Sequence, residues 1–241
     1  MKITFIEALE EQFEMHKDIF YAKKIEKLMK YAYPFIGIKG HLRLQILKYL
    51  YPDYQEEIES NLISIVQKLY AKEEREYHYI ALELLKKNIT LLYKVEYFIF
   101  LKDLLDTKAN WDTTDIIAKD IISKYLLYFP ELKHAMINLL VNSGNTWKIR
   151  SAIIFQINYR EKTNKNLLFI ICDKFLDTND NNIYNAIIWA LKEYKKYNEV
   201  AVNQFLEDKN FSLVSKKVNT IDIDVLKKLI FEINTKKVVS I

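Results

Sequence analysis

The sequence predicts an all-α protein, an α-α superhelix in which paired helices stack into a curved solenoid. Three observations carry this. Only three glycines and three prolines punctuate 241 residues, far fewer than the hairpins of a sheet protein demand. Apolar residues recur at helical spacing in segments of about 12 to 18 residues. A small residue also returns at a nearly constant interval along the chain.

The first helix shows as a single stripe of Phe5, Ala8, Leu9, Gln12 and Phe13. A lysine-rich second helix is expected from about Asp18 to Ala32, ending ahead of Tyr33-Pro34, because a residue before proline avoids the helical region. Gly37 and Gly40 mark a loop. Pro52 and Pro130 are each expected to begin a helix, where the missing N–H costs nothing. From there the segments repeat. Ala81, Ala118, Ala152 and Ala186 are 37, 34 and 34 residues apart, each followed by two or three further helical turns. A period near 35 to 40 with two helices per period is the mark of an α-solenoid, its small residue letting neighbouring helices approach closely. No linker-like segment interrupts the pattern, so residues 1–241 are expected to form a single domain.

Composition narrows the function. Half the residues are hydrophobic and the net charge is +4, compatible with nucleic acid and equally with an ordinary basic protein. Cys172 lies in an apolar run and reads as a core residue, with no intrachain disulfide and no cysteine zinc site. Lys2 and Glu7 bracket the N-terminal apolar residues, unlike a signal peptide, and no uncharged stretch approaches the roughly 20 residues of a membrane span. The expectation is a cytoplasmic protein. No phosphate-binding Gly-rich loop, Gly-x-Ser-x-Gly elbow or His-Glu-x-x-His appears. His16, His41, His78 and His134 are scattered without metal-ligand spacing.

The tryptophans hold more information. Trp111 and Asp115 are four apart and share one helix face. In the repeat register Asp115 falls three before Ala118, Arg150 two before Ala152, and Trp189 three after Ala186. Side chains of three consecutive repeats can therefore converge. Each also has a plain structural reading: Asp112 and Asp115 as an N-cap and a first-turn carboxylate, and the tryptophans as core. On the pattern alone both readings stand.

Three strings bear a family resemblance: Asn110-Trp-Asp-Thr-Thr-Asp115, Thr146-Trp-Lys-Ile-Arg-Ser-Ala-Ile-Ile-Phe-Gln156 and Asn185-Ala-Ile-Ile-Trp-Ala-Leu-Lys-Glu-Tyr194. They resemble the signature segments of the AlkD-like DNA glycosylases, a family built from HEAT-like repeats. The similarity extends from about Phe5 to Val218 and includes Met29-Lys30 and Phe35-Ile36-Gly37-Ile38. It implies that Asp115 is the catalytic carboxylate. Trp111 and Trp189 would be aromatic walls facing the lesion, and Arg150 a contact to the DNA backbone. It also implies excision of cationic N3- and N7-alkylated purines from duplex DNA, without metal or cofactor. The family tyrosine one residue before Met29-Lys30 is Leu28 here, and Asn110 stands where another tryptophan is common.

The chemistry of these residues agrees with that implication. An N3- or N7-alkylated purine is cationic and leaves readily. A carboxylate stabilises the oxocarbenium-like sugar left behind and can orient water. Indole faces attract cations, and arginine grips phosphate. Lys148 and Lys192, with Arg150, are the expected DNA-backbone contacts; Lys195 and Lys196 are expected to add positive charge to the same face. A monomer is expected. The competing reading is a non-catalytic helical-repeat protein that binds DNA or a protein partner on its concave face.

Overall fold

The computed structural model describes residues 3–208, so the far end of the resemblance, at Val218, lies outside the described residues. Among the described residues every regular element is helical, and no helix is long and apolar enough to cross a membrane. The described residues form two compact units, 3–88 and 89–208.

In the first unit, α1 (Phe5–Met15) begins with a capping box between Thr4 and Glu7. It buries the expected Phe5, Ala8, Leu9 and Phe13 against α3 (Gly40–Ser60). Helix α2 (Ile19–Leu28) is capped by Asp18, whose carboxylate accepts the Tyr21 N–H. It stops at Leu28, short of the expected Ala32, because the chain folds back on its last turn. The Tyr31 N–H returns to the Glu26 carbonyl at 2.7 Å, and the Phe35 N–H to the Glu26 carboxylate at 3.0 Å. Lys30 and Tyr31 take left-handed φ values of 54° and 56° to make this turn.

Pro52 corrects the sequence reading: it lies inside α3 and begins nothing. The buried series Ile46, Leu47, Leu50, Tyr51, Tyr54 and Ile58 runs unbroken past it, while Pro52 itself is exposed. Burial along that stripe outweighs one lost backbone hydrogen bond. Helices α4 (Leu62–Tyr70) and α5 (Arg75–Lys87) pack on one another and on α3. Glu76, on α5, is 1 % exposed and accepts the N–H groups of Ile36, Gly37 and Ile38 at 3.0, 2.9 and 3.1 Å. Gly37 is required there. Its φ is +97°, and a Cβ would lie 1.9 Å from the Asp18 carbonyl oxygen.

The second unit starts with a 3₁₀ turn (Ile89–Leu92) and α6 (Tyr97–Asp103). A continuous helix follows, made of α7 (Trp111–Ile116), a π-helical turn (Ile117–Ile122) and α8 (Ser123–Tyr128). Pro130 opens the next helical turn as expected, leading into α9 (Lys133–Val141). After α10 (Thr146–Ile154) come α11 (Lys165–Lys174), α12 (Asn181–Lys195) and α13 (Glu199–Asp208). Helix α10 packs on α7 and the π turn on one side and on α12 on the other, so three consecutive repeats line up. Ala118, Ala152 and Ala186 in this row are fully buried, as is Ala81 of α5. Cys172 is buried in α11, and burial pushes its thiol pKa up. The architecture is that of HEAT-like helical repeats, the all-α class the sequence predicts.

Candidate active site

Asn110 caps α7, its side chain accepting the Trp111 N–H at 2.8 Å. Asp112 takes the first-turn position favoured by the helix dipole. Asp115 lies beyond that turn and is 5 % exposed, so capping does not account for it. Its partner comes from the next repeat. Arg150 Nε donates to Asp115 Oδ1 at 2.7 Å, and Arg150 Nη2 to Asp115 Oδ2 at 2.9 Å. This two-pronged geometry holds the carboxylate in a single plane.

The third repeat fixes the arginine. Arg150 Nη1 donates to the Asn182 carbonyl at 2.8 Å. Asn182 is itself placed by the N-cap of α12, where Asp180 Oδ1 accepts the Asn182 N–H at 2.8 Å and Thr146 Oγ1 donates to Asp180 Oδ2. Burial opposes ionisation of Asp180, but the hydrogen bonds from Thr146 and from backbone N–H groups prevail and hold its carboxyl below the usual range. One cap thus orients one carbonyl, the carbonyl orients the arginine, and the arginine orients Asp115.

Trp189 joins this group. It is half-buried, with Arg150 Cζ 6.0 Å and Lys119 Nζ 5.1 Å from the ring centroid. Trp111, also half-buried, lies one helical turn before Asp115. The sequence-predicted residues Asp115, Arg150 and Trp189 therefore meet. The predicted lysines divide. Lys148 pairs with Asp106 at 2.5 Å, Lys195 with Glu199 at 3.4 Å and Lys196 with Glu193 at 2.6 Å. Lys192 is buried. Leu28, in the first unit, is exposed at the end of α2.

Lys119 was not expected. Four residues after Asp115, it would face the same way on an ideal helix, and that spacing was legible. The π turn carrying it was not. There the Ser123 N–H bonds the Ala118 carbonyl, one residue further back than in an α-helix. The Lys119 carbonyl is left to accept from Ser123 Oγ and, at 3.3 Å, from Asn158 Nδ2. Tyr159 Oη donates to the Ser123 carbonyl at 2.6 Å. Side chains thus satisfy backbone groups that the wider turn displaces, and π turns of this kind recur at functional sites.

A family model described as DNA alkylation repair enzyme matches residues 9–220. No curated protein sequence matches significantly. A solved structure described as a predicted DNA alkylation repair enzyme from Enterococcus faecalis is similar, with a TM-score of 0.77 at 25% identity, over 85% of this chain and 96% of that one. The three strings around Asp115, Arg150 and Trp189, the helical-repeat fold and the family match over most of the chain agree: this protein is AlkD-like and belongs to the DNA alkylation repair enzyme family.

Proposed function

We propose that this protein is a monofunctional DNA glycosylase that hydrolyses the bond between deoxyribose and a cationic N3- or N7-alkylated purine in duplex DNA. The observation that carries the reading is the convergence of Asp115, Arg150 and Trp189 from three successive repeats. The carboxylate is held in a fixed plane beside an aromatic face. Trp189, with Trp111, offers that face to a positively charged base, an attraction of about 0.5 to 2 kcal/mol.

As the glycosidic bond breaks, its electron pair passes to the purine and cancels the positive charge. The sugar becomes oxocarbenium-like, and the Asp115 carboxylate stabilises it. Water oriented by the same carboxylate adds to the sugar carbon and loses a proton, which the carboxylate accepts and passes to solvent. Arg150 acts chiefly as a positioning residue, since three of its N–H groups are committed to Asp115 and Asn182. Lys148 and Lys192, the backbone contacts that the sequence predicts, would reach a phosphate only by giving up Asp106 and by leaving burial, respectively. No step needs a metal or cofactor, and the protein acts as a monomer. The family match runs over residues 9–220, which supports reading the chain as one repeat domain.

A second reading draws on the same contact. A buried, doubly hydrogen-bonded ion pair is also what a purely structural bridge looks like, and a non-catalytic DNA- or protein-binding repeat protein could keep it. Release of free base from methylated duplex DNA, measured with chelator present, separates the two. The glycosylase reading expects release that saturates with enzyme and leaves an abasic site. Binding of duplex with no release assigns the chain to the second reading.

A further inference from the structure

We infer that Lys119 is the residue that grips a DNA-backbone phosphate at this site, an assignment that rests on the glycosylase reading. The cations that the sequence predicts for this site are engaged elsewhere or buried. Arg150 spends its guanidinium on Asp115 and Asn182. Lys148, Lys195 and Lys196 pair with Asp106, Glu199 and Glu193, and Lys192 is buried. Lys119 takes part in no ion pair among the described residues. Its ammonium rests 5.1 Å from the Trp189 centroid, half-exposed.

That resting place is informative. An ammonium over an indole face is held by a weaker attraction than one hydrogen-bonded to phosphate, so Lys119 gives up the ring when a phosphate arrives. The ring it leaves is one that can then attract a cationic base. The π turn makes the arrangement durable. Ser123, Asn158 and Tyr159 fix the backbone of this turn, leaving the long side chain free to move between ring and phosphate.

The test measures duplex affinity of the full chain against salt concentration, for the wild type, Lys119→Met, Lys119→Gln and Lys119→Arg. Two probes are used: an undamaged duplex and the same duplex with one N7-methylguanine. Releasing one fewer counterion should make the log–log salt slope of the Met and Gln variants shallower by about one. Phosphate contacts carry no base information, so affinity should fall by the same factor on both probes. Lys119→Arg should restore the slope. Melting temperatures should stay at the wild-type value, and using two neutral variants keeps a folding defect in either from deciding the result. Unchanged slopes in variants of a wild type that binds steeply would overturn the assignment of Lys119 and leave the glycosylase reading intact. A loss confined to the damaged probe would also overturn it, by making Lys119 a base contact. A wild type that binds no duplex removes the glycosylase reading itself, and Lys119 falls with it.

Discussion

Two of the buried carboxylates, Glu76 and Asp115, are held in opposite ways. Glu76 in the first unit is 1 % exposed, and the backbone N–H groups of Ile36, Gly37 and Ile38 converge on it. Asp115 in the second unit is 5 % exposed and receives its hydrogen bonds from a side chain, Arg150. Backbone donors cannot turn away without unmaking the loop that carries them. Glu76 therefore knits a loop to a helix, and burial pushes its pKa up, with those three N–H groups acting in the other direction. A guanidinium holds Asp115 in a fixed plane while leaving the second lone pair of each oxygen open to other partners. The first carboxylate is spent on the fold, and the second is the one that the proposed reaction would use.

The contrast can be broken by substitution. Glu76→Ala strands three N–H donors, two of them buried, and should cost about 4 kcal/mol of unfolding free energy in denaturant titration. Base release per folded molecule should hold. Loss of release with stability intact would mean that the two carboxylates do not differ as described. Gly37→Ala should cost about 3 kcal/mol, from the left-handed backbone and the clash with the Asp18 carbonyl. Its calorimetric melting temperature should fall accordingly, and a neutral result would show that the loop is not fixed by Glu76.

Asp180→Asn keeps a capping oxygen and should cost less than about 1 kcal/mol at neutral pH. The sharper signal is its pH dependence. The folded-state carboxyl of Asp180 is held below its unfolded value, so its stabilisation is present above the unfolded pKa and lost as pH falls through the folded one. Melting temperatures of wild type and Asp180→Asn should therefore converge below about pH 4. Curves that stay parallel into acid would remove Asp180 from the chain of contacts leading to Asp115.

Much of this was legible in the residues, for identifiable reasons. The alanine period marked where helices pack closest, and all four alanines are buried. The repeat register placed Asp115, Arg150 and Trp189 on corresponding helices, and they meet. Pro52 misled because local propensity was weighed without the stripe of buried residues running past it. The end of α2 was missed because the turn is set by the Phe35 N–H donating back to the Glu26 carboxylate in the helix. The roles of Asn182 and Glu76 were invisible because each depends on a hydrogen bond between residues more than thirty positions apart. Such contacts leave no local periodicity. Charge counting also overstated the lysines near α12, since sequence does not show which of them a carboxylate neutralises.

The central claim is that Asp115 acts on the sugar and is more than half of a structural bridge. Asp115→Asn tests it most directly, with release of 7-methylguanine, duplex affinity and unfolding free energy measured on the same preparation. Leaving Arg150 buried with a neutral partner should cost about 3 kcal/mol of stability on either reading, so stability alone decides nothing. At a temperature where the variant is fully folded, the account predicts that base release falls by about two orders of magnitude or more while duplex affinity holds. Release within a few-fold of wild type from the folded variant would contradict it and reduce Asp115 to the structural partner of Arg150.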